Sequence, residues 1–326
     1  MNRLDELRQR DQLLGWVEQG LLSPGQAGQA LAPAEPKPTA AHWRWALDRL
    51  LGFLGCLLLA LGVIFFFAFN WDDMHRLHKV ALVLLVLSGF AGAALFLQAG
   101  STLYRASLVG AALTTGAALA VVGQIYQTGA DIWQLFAGWA VLMLPWVLLA
   151  RSTAGWLLFW LVANLALALY LAVPRGWPGV GPFSARALFG MAFGNLVMLL
   201  LFELAGRHLA PNAGRILPRL AGLMALAVLS LGAGIGWEQG GYRGFLVGLG
   251  LVYLLAIPTY LELRRDLLML ALLAYSLVAV GSAGLGHWLA DRVDHFTLLN
   301  LLGLVVLVGS ALATLWLHHL YRESRQ

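Results

Sequence analysis

Charge is scarce in this chain. Of its 326 residues only 11% are Asp, Glu, Lys or Arg, against about 25% in an ordinary soluble domain. That shortage excludes a soluble globular protein. Cysteine is scarcer still. Cys56 is the only one, so no intrachain disulfide can form, and a thiol in apolar surroundings is expected to be inert. Familiar catalytic patterns are missing: there is no Walker loop, no HExxH and no CxxC. Gly232-Ala233-Gly234-Ile235-Gly236 is glycine-rich, but it ends an apolar run with no strand before it. It reads as a packing surface, not as a phosphate cradle.

What the chain has in abundance is apolar length, with 60% hydrophobic residues. A bilayer core of about 30 Å needs about 20 residues of helix. Ten stretches meet that length: roughly 50–69, 78–98, 105–126, 132–149, 154–172, 183–206, 216–236, 244–261, 265–285 and 297–318. They are too long and continuous for the alternating strands of a barrel. The predicted fold is all-α, a polytopic transmembrane helix bundle of about ten spans. No acidic or basic residue falls at the centre of any span. Glu203 lies near one end of the sixth, with Arg207 one turn on, and reads as a paired helix end.

The formal charge of +5 does not imply nucleic acid here, because the arginines sit beside the ends of spans, where they orient the protein. With the N-terminus cytoplasmic, twelve Lys and Arg residues near the membrane fall inside and six outside. Both termini are therefore expected on the cytoplasmic side. The first apolar run begins near residue 50 behind a charged tail, too late and too long for a secretory leader, so none is expected.

Residues 1–32 form a separate unit. Leu4, Leu7, Leu14 and Val17 recur at about helical spacing, and Gly20 ends that helix. Ser23-Pro24-Gly25-Gln26 starts a second, with Ser23 as N-cap and Gln26 closing a capping box. The prediction is an amphipathic cytoplasmic hairpin, too small to bury a core alone. It packs on its own protein, dimerises or binds a cytoplasmic protein partner. Residues 33–49 read as a Pro-rich linker followed by an interfacial segment with Trp43 and Trp45. The rest, 50–320, is the transmembrane domain.

Polar residues in so apolar a chain are the informative ones. A first cluster, Asn70, Asp72, Asp73, His75 and His78, joins spans one and two. Two histidines and a carboxylate can ligate a metal, but His75 and His78 are three apart, not the usual four. Capping of span two by Asp72 or Asp73 is the simpler reading, and no metal or other cofactor is assigned. A second cluster, Gln124, Tyr126, Gln127 and Asp131, joins spans three and four on the same predicted outer face. The two clusters either line one outer-leaflet pocket or tie helix ends together. Asn164 and Asn195 lie near the middle of spans five and six. At similar depth in antiparallel helices they can bond to each other and set register, or line a solute path. Gly244 and Gly248 make a GxxxG pair, a motif that permits close packing of helices.

Four blocks resemble the DUF2157 family of predicted bacterial membrane proteins. They are Leu13-Leu14-Gly15-Trp16-Val17 with Gly20 to Ala27; Gly52-Phe53-Leu54-Gly55 through Phe67-Ala68-Phe69-Asn70-Trp71; His78-Lys79-Val80-Ala81-Leu82; and Gly123-Gln124-Ile125-Tyr126-Gln127 with Trp139. Together they cover roughly residues 10–155. The resemblance implies a bacterial multi-span membrane protein and names no substrate; the inner membrane is the expected location.

Three functions follow as expectations. The first is non-enzymatic: a scaffold, sensor or accessory subunit. The alternative is a transporter or channel for a small or lipidic solute, motivated by the number of spans and by Asn164, Asn195 and Gln124. A membrane enzyme using Asp72, Asp73, His75 and Asp131 requires the two outer loops to meet.

Overall fold

The computed structural model describes residues 40–70, 75–126, 129, 131–172, 184–211 and 213–323. Among them there are ten α-helices and no strand. The helices are α1 (Ala40–Asn70), α2 (Arg76–Phe96), α3 (Thr102–Tyr126), α4 (Ile132–Ala150), α5 (Thr153–Ala172), α6 (Ala185–Leu209), α7 (Ile216–Gly236), α8 (Arg243–Pro258), α9 (Leu267–Leu289) and α10 (His295–Glu323). Nine of them, α2 to α10, are long and apolar enough to cross a membrane, one for each expected span from the second to the tenth. The first expected span lies within α1, which starts earlier, at Ala40, and so takes in Trp43 and Trp45. The hairpin predicted for residues 1–32 lies outside the described residues.

The chain divides into two units, residues 1–55 and 56–326. The second holds the helices from α2 onward, and in it consecutive helices pack on each other. Two of these are hubs. In α3 and α7, 56% of the most apolar window is buried, against 6% in α10. Composition explains this. α3 buries Ala106, Gly110, Ala111, Ala112, Thr114, Thr115 and Gly116. α7 buries Ala221, Gly222, Ala225, Gly232 and Ala233. In a bilayer apolar side chains gain nothing by leaving lipid, so close approach of small-residue faces supplies the attraction.

The glycines show how closely the helices fit. Phe90 of α2 lies against Gly110, and Trp139 of α4 lies flat on Gly116. On α7, Met269 of α9 fills the space over Gly222, and Phe245 of α8 that over Gly232. Phe245 is fully buried and stacks on Phe189 of α6, ring centroids 3.8 Å apart. Of the GxxxG pair, Gly244 contacts Phe189, while Gly248 faces open space.

Tryptophan supplies the other half of the packing. Trp139 Nε1 donates to the Ala112 carbonyl (2.8 Å) and Trp146 Nε1 to Thr115 Oγ1 (3.1 Å), both from α4 to α3. Trp156 donates to the Leu209 carbonyl at 3.0 Å, and Trp237 to the Val280 carbonyl at 3.2 Å. Away from water each indole N–H needs an acceptor, and each finds one on a neighbouring helix. A hydroxyl cluster does the same for α7, α8 and α9, where Ser276 bonds both Ser230 and Tyr253 at 2.7 Å.

The α8 helix ends at Pro258, and the next turn, Thr259–Leu263, is a π-helix. Proline removes a backbone donor and upsets the regular ladder. The wider turn is closed by the Arg264 N–H donating to the Thr259 carbonyl at 2.9 Å, and it turns Tyr260 and Arg264 toward α6.

Gly116→Ala is expected to push Trp139 off its seat and break its bond to Ala112, at a cost of about 1–3 kcal/mol. Gly248→Ala, in open space, should leave stability nearly unchanged. Thermal unfolding of the two detergent-solubilised variants checks the contrast.

Candidate functional site

The described residues among those expected at the outer face are placed at helix ends. Asn70 is the last residue of α1. Asp72, Asp73 and Gln127 lie outside the described residues. His75 is the N-cap of α2, its Nδ1 accepting from the Leu77 N–H at 3.4 Å. This corrects the assignment of that cap to Asp72 or Asp73: the helix starts at Arg76, so the capping position falls on His75. The rings of His75 and His78 meet edge to face, 5.9 Å apart.

Gln124 and Tyr126 are exposed on the last turn of α3. Asp131 is the N-cap of α4. Its N–H donates to Gln134 Oε1 at 3.2 Å, and its carboxylate accepts from Trp133 Nε1 at 3.2 Å. Both His75 and Asp131 are thus engaged in starting the helix that follows them.

The two mid-membrane asparagines meet. Asn195 Nδ2 donates to Asn164 Oδ1 at 2.6 Å and to the Met191 carbonyl at 3.0 Å. Asn195 Oδ1 accepts from Trp160 Nε1 at 3.0 Å, and Asn164 Nδ2 donates back to the Trp160 carbonyl at 2.8 Å. Asn195 is 1% exposed. Trp160 is the member that the sequence reading missed. It stands one helical turn before Asn164, where its indole meets the amide of Asn195.

The most charged site lies at the other ends of the helices. The connections α2–α3, α4–α5, α6–α7 and α8–α9 meet there, as shown by Arg151 donating to the His208 carbonyl (2.8 Å), by the pairing of Arg215 with Asp266, and by Gly100, Arg151 and Pro211 lining one cavity. Asp266 is the N-cap of α9 and accepts from the Leu268 N–H at 3.1 Å. Its side chain is completely buried, yet it is ionised between two guanidinium groups, those of Arg215 and Arg219. Arg219 approaches it with both Nε (3.0 Å) and Nη2 (3.1 Å).

Arg215 continues the network to Glu203 at 2.6 Å. Glu203 also accepts from the Tyr260 hydroxyl at 3.0 Å and pairs with Arg264 at 3.7 Å. The expectation that Glu203 pairs with Arg207 is therefore corrected. The π-turn after Pro258 and the loop before α7 bring Arg264 and Arg215 nearer than the residue one turn along α6.

Burial alone would raise the Asp266 pKa. The hydrogen bonds from Arg219 and Arg215, and that from the Met269 N–H, outweigh it and hold the carboxyl below its ordinary value. Sequence reading missed Asp266. The available signal was a single acid in the three-residue connection Arg264-Arg265-Asp266, between two spans and beside two arginines.

Two cavities at this end are each walled by more than one arginine. One, of about 530 Å³, is walled by Glu203, Arg207, Arg215 and Arg264 among apolar and backbone groups. The other, of about 330 Å³, is walled by Tyr104, Arg105 and Arg151, with no acidic residue. Pro211 contributes to both walls.

Apolar spans, helix-to-helix polar ties and charge confined to helix ends define a polytopic α-helical membrane protein. Residues 14–156 match the model of the DUF2157 family, described as a predicted membrane protein. No curated protein and no solved structure matches the chain.

Two outcomes follow. Asn195→Leu strands both the Trp160 N–H and the Asn164 carbonyl oxygen. It should destabilise the protein by about 1–3 kcal/mol, more than Asn164→Leu, as read by heat inactivation in detergent. Asp266→Asn should cost about 3–5 kcal/mol, because two arginines lose their counter-charge. With its folded pKa depressed, Asp266 contributes its full stability above the ordinary carboxylate pKa of about 3.9 and loses it as pH falls through the lower folded value. A melting-temperature profile from pH 7 into this acid range should fall less steeply in Asp266→Asn than in the parent.

Proposed function

We propose that this is a non-enzymatic, multi-pass protein of the bacterial inner membrane, with both termini in the cytoplasm, acting as a scaffold, sensor or accessory subunit. One observation carries the reading: the polar side chains at mid-membrane depth are engaged with one another. Asn164, Asn195 and Trp160 form a closed set of hydrogen bonds between α5 and α6. Ser230, Tyr253 and Ser276 do the same between α7, α8 and α9. A solute path needs polar groups turned toward a water-filled space, whereas these hold helices in register. The transporter or channel reading would need a cavity reaching Asn164 and Asn195. The cavities at the arginine-rich end are walled by other residues.

The outer residues Asn70, Asp72, Asp73, His75, Gln124, Tyr126, Gln127 and Asp131 fit the same reading as helix-end ties, supported by the caps at His75 and Asp131. On this view the contact with a cytoplasmic partner is made by the amphipathic segment 1–32.

The experiment is affinity purification from membranes of the full chain and of a form lacking residues 1–38, each checked for correct insertion. A defined set of cytoplasmic proteins should accompany the full chain and disappear with the deletion. Identical partner lists would overturn the role given to the N-terminal segment.

A further inference from the structure

We propose that the paired cavities at the arginine-rich end bind the phosphate of an anionic phospholipid headgroup. The argument begins with charge. Five arginines, Arg105, Arg151, Arg207, Arg215 and Arg264, wall the two cavities, with Glu203 as the one acid in their lining. Arg215 is also paired with Asp266, and an excess of positive charge remains after that pair is counted.

A second observation is independent of the charge count. Arg105 Nε is buried, with no hydrogen-bond partner among the described residues. A buried, charged donor left unmatched is costly, and a phosphate oxygen entering the cavity beside it supplies the acceptor. Across that cavity Arg151 is held by its Nε bond to the His208 carbonyl, from a left-handed backbone conformation with φ of 44°. Such a conformation is uncommon outside glycine. The bond holds the guanidinium at the cavity wall.

The surroundings select a lipid over a soluble anion. The cavities lie at the ends of membrane-spanning helices, at the depth of headgroups. Leu263, which lines the larger, is 76% exposed, and Leu149, which lines the smaller, is 56% exposed. A cationic pocket edged by exposed leucine suits a molecule with a phosphate at one end and acyl chains at the other. Basic pockets between spanning helices are a known way of holding acidic headgroups. A volume of about 530 Å³ is within the range of small-molecule sites.

The test uses the full chain, purified and delipidated in detergent, with binding read by native mass spectrometry and by thermal stabilisation. The probes are phosphatidylglycerol, phosphatidylcholine and inorganic phosphate. Phosphatidylglycerol should bind at least tenfold more tightly than phosphatidylcholine. Arg105→Gln and Arg207→Gln should each weaken it about fivefold, as expected for one arginine near an acidic headgroup. Arg207→Lys, which keeps the charge, should restore most of the binding if Arg207→Gln also lowers stability.

Arg292→Gln serves as the control. Arg292 stacks on Trp288, 4.0 Å from the ring centroid, and lies outside both cavities. This variant should bind as the parent does. Equal binding of the two lipids, or equal loss in Arg292→Gln, would overturn the site. Stabilisation by inorganic phosphate equal to that by phosphatidylglycerol would overturn the assignment to lipid.

Discussion

A carboxylate with no exposed surface, set between two guanidinium groups, holds one end of this bundle together. Asp266 starts α9, Arg215 and Arg219 belong to the start of α7, and Arg215 passes the contact on to Glu203 of α6. Tyr260 and Arg264 bring in the π-turn that follows α8. Four elements are therefore fixed by one charge network. Its strength comes from its cost. A buried charge is tolerated only when fully paired, so any movement that separates α7 from α9 leaves an uncompensated ion. The site also explains why the α8 helix is allowed to break at Pro258. The irregular turn places Tyr260 and Arg264 where Glu203 can receive them.

Within the bilayer the bundle relies on a different device. Small residues on α3 and α7 let neighbouring helices approach, and large side chains seat in the gaps: Trp139 over Gly116, Phe245 over Gly232. Indole N–H groups then bond across to the facing helix. Both devices suit a medium in which apolar burial brings little gain and an unmet hydrogen bond costs much. The amide set of Asn164, Asn195 and Trp160 belongs to the same scheme.

Much of this architecture was legible in the residues. Nine helices fall where unbroken apolar runs require them, because a run of about 20 apolar residues has few alternatives in lipid. Helix starts were harder to read. Asp72 and Asp73 look like better caps for α2 than His75 does, yet the cap went to the residue next to the first helical turn. The arginines were legible as an orientation signal but not as partners. Charge counting near helix ends treats Arg215, Arg219 and Arg264 as equivalent, and it gives no reason to single out Asp266.

The sequence by itself determined that the chain is a bundle of membrane-spanning helices, where α2 to α10 begin and end to within a few residues, and at which ends its charges lie. These are properties of single segments meeting a solvent. Only the tertiary structure decided which charges pair, which indole meets which carbonyl and where cavities open. Those outcomes depend on distances between residues far apart in the chain, such as the 51 positions between Arg215 and Asp266. Such distances are set by how neighbouring helices pack, and no local pattern encodes them.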